Sequence, residues 1–142
     1  MNRLSGKLYA AQALLQFAQH LKNWRQVFDA YRRNQPIPFL ILRKGGATIR
    51  HGSGDDPIAL FREIFVHQLY TRGFYAPETR GPGQNIVDLD ANIGLFAIFM
   101  ESRTRSPRIH CFEPAAQTRE LLKQNVLGNK LERSIAIHPF GV

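Results

Sequence analysis

The chain has 142 residues, of which 44% are hydrophobic and 21% are charged, as is usual for one globular domain. No apolar run approaches the roughly 20 residues of a membrane-spanning helix. The basic N-terminus lacks the apolar core and small-residue cleavage site of a signal peptide. The single cysteine, Cys111, excludes a disulfide framework. These features predict a cytoplasmic protein.

The formal net charge of +8 is unevenly distributed along the chain. Residues 1–80 hold 12 Lys/Arg against 5 Asp/Glu, whereas residues 81–142 hold 7 against 6. Such an excess attracts an anionic partner or only solubilises the surface, and we favour the second interpretation. No zinc-finger spacing or nucleic-acid aromatic motif is present, so no nucleic-acid partner is expected.

Residues 1–82 are predicted to form a helical and hairpin region. Residues 8–33 have apolar side chains at helical spacing, and Pro36 and Pro38 end the helix. The stripe consists of Leu14, Phe17, Leu21, Trp24, Phe28 and Tyr31. A basic amphipathic helix can lie on a membrane surface. Packing against the protein or a partner is the commoner role of such a stripe, and we expect Phe17, Leu21, Trp24 and Phe28 to be buried.

A β-hairpin is predicted next, because residues 39–42 and 47–50 flank Lys44-Gly45-Gly46, whose glycines suit a turn. Farther along, residues 79–84 contain Gly81-Pro82-Gly83 and are predicted to be a linker.

Between hairpin and linker, a helix is predicted over residues 58–70. Asp56 is a good N-cap and Pro57 a good first helical residue. The adjacent Asp55 and Asp56 could ligate a metal, but we favour a cap for one and solvent exposure for the other.

Residues 83–142 are predicted to be a second domain, a β-α-β-α-β unit. The predicted strands are 86–89, 109–112 and 135–137, and the predicted helices are 93–100 and 115–129. Short loops between alternating elements predict parallel strands with right-handed crossovers.

The most informative segment is the first strand of this unit with the turn that follows it. It runs Ile86-Val87-Asp88-Leu89-Asp90-Ala91-Asn92-Ile93-Gly94, and nineteen residues later Glu113 ends the next strand. This order is typical of an adenosine site, in which turn N–H groups approach the ligand and the distant carboxylate accepts hydrogen bonds from ribose hydroxyls.

The glycines of the turn distinguish between cofactors. A dinucleotide site needs G-x-G-x-x-G so that the backbone can touch a pyrophosphate. Here Gly94 is the only glycine, and Asp90 and Asn92 occupy the preceding alternate positions. S-adenosylmethionine has no phosphate and carries a positive sulfonium, so the acidic turn favours it over a dinucleotide.

From about residue 39 to residue 142, the chain resembles the FkbM-type family of S-adenosylmethionine-dependent methyltransferases. The matching pieces are Leu40-Ile41-Leu42-Arg43, Ile49-Arg50, Asp55-Asp56, Phe61-Arg62-Glu63-Ile64-Phe65, Val87 to Phe96, Phe112-Glu113-Pro114, Leu121-Leu122, Asn125 and Asn129. The resemblance implies a Rossmann-like class I methyltransferase fold and methyl transfer, usually to oxygen.

The family turn usually reads Asp-x-Gly-Ala-Asn-x-Gly, whereas Asp90 stands here at the first glycine. We expect Asp90 to need glycine-like backbone angles and to weaken cofactor binding.

The resemblance implies a cofactor site of six residues: Asp88, Asp90, Asn92, Ile93, Gly94 and Glu113. Asp88 would face the ammonium and sulfonium of S-adenosylmethionine, Glu113 would hold the ribose, and the turn would offer backbone N–H groups. Each carboxylate also has a structural alternative, since Asp88 can accept turn N–H groups and Glu113 can cap the next helix. The histidines are scattered, so no catalytic base and no metal site are predicted.

A class I methyltransferase sheet usually has seven strands, so the three predicted strands correspond to the N-terminal part of that fold only. We interpret the chain as a fragment, or else as a small domain whose open sheet edge is covered by a second copy or another partner. Two functions stay open: methylation of a small molecule or glycan, or a non-catalytic remnant or adaptor with little cofactor binding. A weaker third is a basic membrane-associated or RNA-binding module.

Overall fold

A computed structural model describes residues 3–52, 56–72 and 81–141. These residues form five α-helices, one π-helical segment and five strands. The chain divides into two compact units, Met1–Ile49 and Arg50–Val142. The described helices include none with the length and apolarity needed to cross a membrane.

The first unit contains two helices and a hairpin. Helix α1 is Arg3–His20 and helix α2 is Trp24–Arg32. Strands β1 (Leu40–Ile41) and β2 (Thr48–Ile49) are antiparallel, which confirms the predicted hairpin. Gly45 and Gly46 have φ of 77° and 74°, the left-handed values that glycine adopts readily.

The prediction of one continuous helix over residues 8–33 is wrong, because the chain leaves the helix after His20 to bond with the hairpin. Lys22 donates its N–H to the Ile41 carbonyl and accordingly leaves the helical ladder. The Asn23 side chain accepts the Ile41 N–H (2.9 Å) and donates to the carbonyl of Phe39 (2.7 Å). Backbone groups around the break therefore bond to the hairpin.

The apolar stripe is buried only in part. Phe17 and Leu21 are fully buried, as predicted, whereas Trp24 and Phe28 are half-buried. The Phe17 ring packs edge-on against Tyr31, with centroids 5.6 Å apart. The Arg25 guanidinium lies 4.8 Å from the centroid of the Trp24 ring.

The second unit begins with a short α-helix that widens. Helix α3 is Pro57–Phe61, and residues Arg62–Val66 form a π-helical segment. Asp56 accepts the N–H groups of Ile58 and Ala59, which confirms the predicted cap. The predicted extension of this helix to residue 70 is wrong, because the π-helical segment ends at Val66 and Gln68 has a left-handed φ of 52°, which a right-handed helix does not accommodate.

The predicted metal alternative at Asp55 and the start of the predicted linker, residues 79 and 80, lie outside the described residues.

A three-stranded parallel sheet follows, in the order β3-β4-β5. The strands are β3 (Asn85–Leu89), β4 (Arg108–Phe112) and β5 (Ile135–His138), connected by α4 (Leu95–Glu101) and α5 (Ala116–Gly128). The predicted β-α-β-α-β order is confirmed. Asp88 pairs in register with Cys111, and Leu89 with Phe112, so the carboxyl ends of β3 and β4 lie side by side.

The two faces of this sheet differ in burial. Ile109, Cys111 and Ile135 are buried on one face. On the other, Val87 and Leu89 are 60% and 55% exposed, and the half-buried His138 ring stacks on Phe112 with centroids 4.5 Å apart. Parallel sheets normally have both faces covered, so the exposed face is unusually apolar.

Candidate cofactor site

The turn between β3 and α4 is built from residues in the left-handed backbone region. Asp90, Asn92 and Gly94 have φ of 60°, 49° and 85°. Asp and Asn tolerate this region better than most residues, and the value at Asp90 confirms the expectation that its position needs glycine-like angles. The Ala91 N–H donates to the Phe112 carbonyl (3.0 Å), which fixes the turn against the end of β4.

Gly94 is required by packing as well as by backbone angle. A Cβ atom at this position would lie 2.4 Å from Cδ1 of Leu122, which is fully buried on α5. The missing side chain therefore lets the turn and α5 approach closely.

Glu113 holds the turn from the tip of β4. It is 3% exposed. Its Oε2 accepts the Asn92 N–H (2.9 Å), and its Oε1 accepts the Ala115 N–H (2.8 Å) just before α5. A carboxylate has about four acceptor positions, so these two bonds leave acceptor capacity on each oxygen.

The turn N–H groups proposed to face a cofactor are engaged within the protein. Besides the Asn92 N–H on Glu113, the Ile93 N–H donates to Oδ1 of Asn92 (2.7 Å) and the Gly94 N–H donates to the Ala91 carbonyl (2.9 Å). These bonds stabilise the shape of the turn. Ile93 and Gly94 are also buried, whereas Asp90 is exposed and Asn92 half-buried.

Asp88 is the electrostatically unusual residue of this region. It is 8% exposed, and its Oδ2 has no hydrogen-bond partner among the described residues. Burial, and secondarily the charge of Asp90, raise the pKa of Asp88 to about 7. Burial and then Asp88 likewise raise the pKa of the neighbouring Cys111 thiol. An unpaired buried carboxylate is costly and points to a ligand or to a protonated state.

Sequence reasoning missed the structural role of Asn125. Its fully buried side chain accepts the Arg50 N–H (2.7 Å) and donates to the carbonyls of Arg50 and Ile93 (both 2.9 Å). One amide therefore joins α5 to the turn and to the start of the second unit. The only sequence signal was its place among the matching pieces of the family resemblance.

A parallel β-α-β unit with a tight turn after its first strand and an acidic residue at the tip of the second defines the nucleotide-binding half of a Rossmann-like fold. Among solved structures, a SAM-dependent methyltransferase from Agrobacterium tumefaciens superposes with a TM-score of 0.52 at 16% identity, over 72% of this chain and 31% of that chain. The chain therefore has a partial Rossmann-like methyltransferase fold.

Two curated proteins are similar in sequence. The 31-O-demethyl-FK506 methyltransferase FkbM of Streptomyces tacrolimicus is 34% identical over 86 residues, which are 61% of this chain and 32% of that protein. The AMB antimetabolite synthetase AmbE of Pseudomonas aeruginosa is 38% identical over 68 residues, 47% of this chain and 3% of that protein. The chain thus spans about a third of the first relative and a small part of the second. No family model matches the chain. Over the matched segment, the chain is homologous to the methyltransferase FkbM of Streptomyces tacrolimicus.

Proposed function

We propose that this chain binds S-adenosylmethionine where β3 and β4 end, as part of an FkbM-type methyltransferase that methylates a hydroxyl group of a small molecule or glycan. The homology to a methyltransferase acting on 31-O-demethyl-FK506 supports the reaction class and an oxygen acceptor. When bound, S-adenosylmethionine supplies an electrophilic methyl group.

The observation that carries the proposal is the buried oxygen of Asp88 that has no hydrogen-bond partner among the described residues. S-adenosylmethionine presents two positive groups, an ammonium and a sulfonium. A nearby cation stabilises the ionised form of a carboxyl group. A ligand of this charge would therefore lower the raised pKa of Asp88 and relieve the cost of its burial.

Glu113 is the proposed ribose-binding residue. Its position at the tip of β4, next to the turn, suits a ligand that extends from β3 to β4. Its two backbone bonds leave acceptor positions for ribose hydroxyls, and it is buried, so binding requires it to open toward the ligand. The internally bonded turn N–H groups then act by holding the turn.

Calorimetric titration with S-adenosylmethionine tests the proposal. Near pH 7, binding should release a proton from Asp88, so the observed heat should depend on the ionisation enthalpy of the buffer. Glu113→Ala should weaken binding by about 1–3 kcal/mol, the range for a lost hydrogen bond to a charged group. Glu120→Ala, at an exposed pair with Lys123 on α5, is the matched control. Unchanged affinity in Glu113→Ala would exclude the ribose role.

A specific observation also favours the alternative function, a non-catalytic remnant or adaptor. Asp90 stands where the family turn has glycine, and it is an exposed residue with a left-handed φ of 60° in the turn after β3. The same titration separates the two functions, because the adaptor gives no saturable heat with S-adenosylmethionine.

We also propose that a second copy or another polypeptide covers the sheet. The exposed Val87 and Leu89 support this, because parallel sheets are normally covered on both faces. Sedimentation velocity of the chain should show a concentration-dependent dimer if the partner is a second copy, and Val87→Lys should abolish that dimer.

A further inference from the structure

Tyr70 is an exposed ring that the structure holds in place from two sides. It is 58% exposed. Its ring packs against Phe96 with centroids 5.4 Å apart and an interplanar angle of 62°. Its hydroxyl donates to Oε1 of Glu63 at 2.5 Å. Glu63 lies in the π-helical segment, and Phe96 is the second residue of α4.

These contacts place Tyr70 beside the turn. Phe96 comes two residues after Gly94, the last left-handed residue of that turn. The π-helical segment packs against α4, and π-helical turns occur frequently at functional sites. The half-buried ring of Phe96 and the exposed ring of Tyr70 therefore lie near the carboxyl end of β3. The acidic residues Asp88 and Asp90 lie at the same end of the sheet.

The electrostatics of Tyr70 agree with this placement. The hydrogen bond to Glu63, burial, and the charges of Glu63, Asp88 and Asp90 raise the pKa of Tyr70, in that order. Its hydroxyl therefore stays protonated at neutral pH, and its ring keeps the electron-rich face that attracts cations.

We propose that Tyr70, whose ring packs against Phe96, is a specificity-determining residue whose ring face favours a sulfonium ligand over the corresponding neutral thioether. This inference rests on the proposed function, and it adds a second source of discrimination to the attraction between the carboxylates and the sulfonium. The discrimination matters because methyl transfer converts the sulfonium into the thioether S-adenosylhomocysteine, which keeps the adenosine and the amino-acid end. Without a group that recognises the sulfonium charge, the spent cofactor competes with the fresh one.

The experiment measures the affinities of S-adenosylmethionine and S-adenosylhomocysteine by calorimetry and compares their ratio between variants. An exposed cation–π contact changes affinity about two- to fivefold. Tyr70→Leu should lower the preference for S-adenosylmethionine by about that factor, with S-adenosylhomocysteine affinity unchanged. Tyr70→Phe removes the hydroxyl but keeps the ring, so it should retain the preference.

Phe140→Leu is the matched control, because it replaces a 52% exposed aromatic residue whose ring packs edge-on against Phe112. Its preference should equal that of the unmodified chain. Tyr70→Gln is a second variant without the ring, and circular dichroism verifies that each variant is folded.

Each outcome is decisive. An equal loss of affinity for both ligands in Tyr70→Leu would mean that the ring only packs, and would overturn the inference. A loss of preference in Tyr70→Phe would assign it to the hydroxyl and would also overturn it. If the unmodified chain binds both ligands equally, the discrimination fails while the proposed function stands. If it binds neither ligand, both fail.

Discussion

One asparagine joins distant backbone segments in each unit, but the two differ in burial. Asn23 of the first unit is half-buried and makes two bonds, to Phe39 and Ile41. Asn125 of the second unit is fully buried and makes three, to Arg50 and Ile93. The same residue type therefore joins the hairpin to the break between α1 and α2 near solvent in the first unit, and fixes a turn inside the core in the second.

Charge distinguishes the two units further. The first holds eight Lys/Arg and one Asp/Glu, a formal net charge of +7, whereas the second holds eleven and ten, a net charge of +1. Among the described residues, the buried polar side chains lie in the second unit, where Oδ2 of Asp88 has no hydrogen-bond partner. Since buried polar groups are costly when their partners are lost, substitutions in the second unit should have the larger effects.

The largest effect is expected for Asn125→Ala. The substitution leaves the buried carbonyl of Ile93, and the part-buried N–H and carbonyl of Arg50, without their partner. An unsatisfied buried group costs about 1–3 kcal/mol and a part-buried one less, so urea denaturation should show a loss of about 3 kcal/mol in the free energy of unfolding. A loss below about 1 kcal/mol would mean that water replaces the amide and that its burial is unimportant.

Next in size is the pH dependence caused by Asp88. Its folded-state pKa of about 7 lies above its ordinary value of 3.8. The folded state therefore binds the proton more tightly than the unfolded state, and stability falls as the pH rises between these values. Between pH 5 and 8, this group should remove about 2–3 kcal/mol.

Asp88→Asn should abolish that part of the pH dependence. Thermal unfolding at several pH values gives the comparison, with Glu120→Gln as the control at an exposed carboxylate. A variant with the same slope as the unmodified chain would show that Asp88 is not the titrating group.

The order of strands and helices in the second unit was predictable because its determinants are local. Apolar runs flanked by turn residues mark the strands, and the Asp-Asn-Gly composition of the turn indicates left-handed backbone at Asp90, Asn92 and Gly94. What could not be predicted depends on distances between segments. Glu113 accepts the Asn92 N–H from 21 residues farther along the chain. This hydrogen bond and the unpaired Oδ2 of Asp88 depend on how segments distant in sequence pack together.

In the first unit, local pattern was misleading. The apolar stripe continues in helical phase through Leu21 and Trp24, although α1 ends at His20 and α2 begins only at Trp24. The break depends on bonds to the hairpin, about 20 residues away. The π-helical turn after Phe61 has no sequence signal either, since its residues are ordinary helix formers.

A smaller effect is expected for Asn23→Ala in the first unit. The hairpin groups at Phe39 and Ile41 lose their partner but lie close to solvent, so water can replace the amide. We expect a loss of about 1 kcal/mol in the free energy of unfolding, clearly below that of Asn125→Ala. Equal losses of unfolding free energy for the two variants would show that burial does not determine the cost of removing these hydrogen bonds.

The smallest effect on stability is expected for Asp90→Gly, which also tests the site most directly. Aspartate at φ 60° is strained, and glycine removes that strain but adds flexibility to the unfolded chain. The net gain should therefore stay below about 1 kcal/mol.

The Asp90→Gly substitution also removes a negative charge near Asp88, so the pKa of Asp88 should fall. The decline of stability with rising pH should accordingly end at a lower pH. If the cofactor binds where β3 and β4 end, as proposed, S-adenosylmethionine should bind more tightly, because glycine has no side chain at this position of the turn. Calorimetry on both chains measures this, with Asp90→Asn separating charge from size. If all three bind equally, Asp90 is neutral toward the cofactor, and its departure from the family turn has no functional consequence.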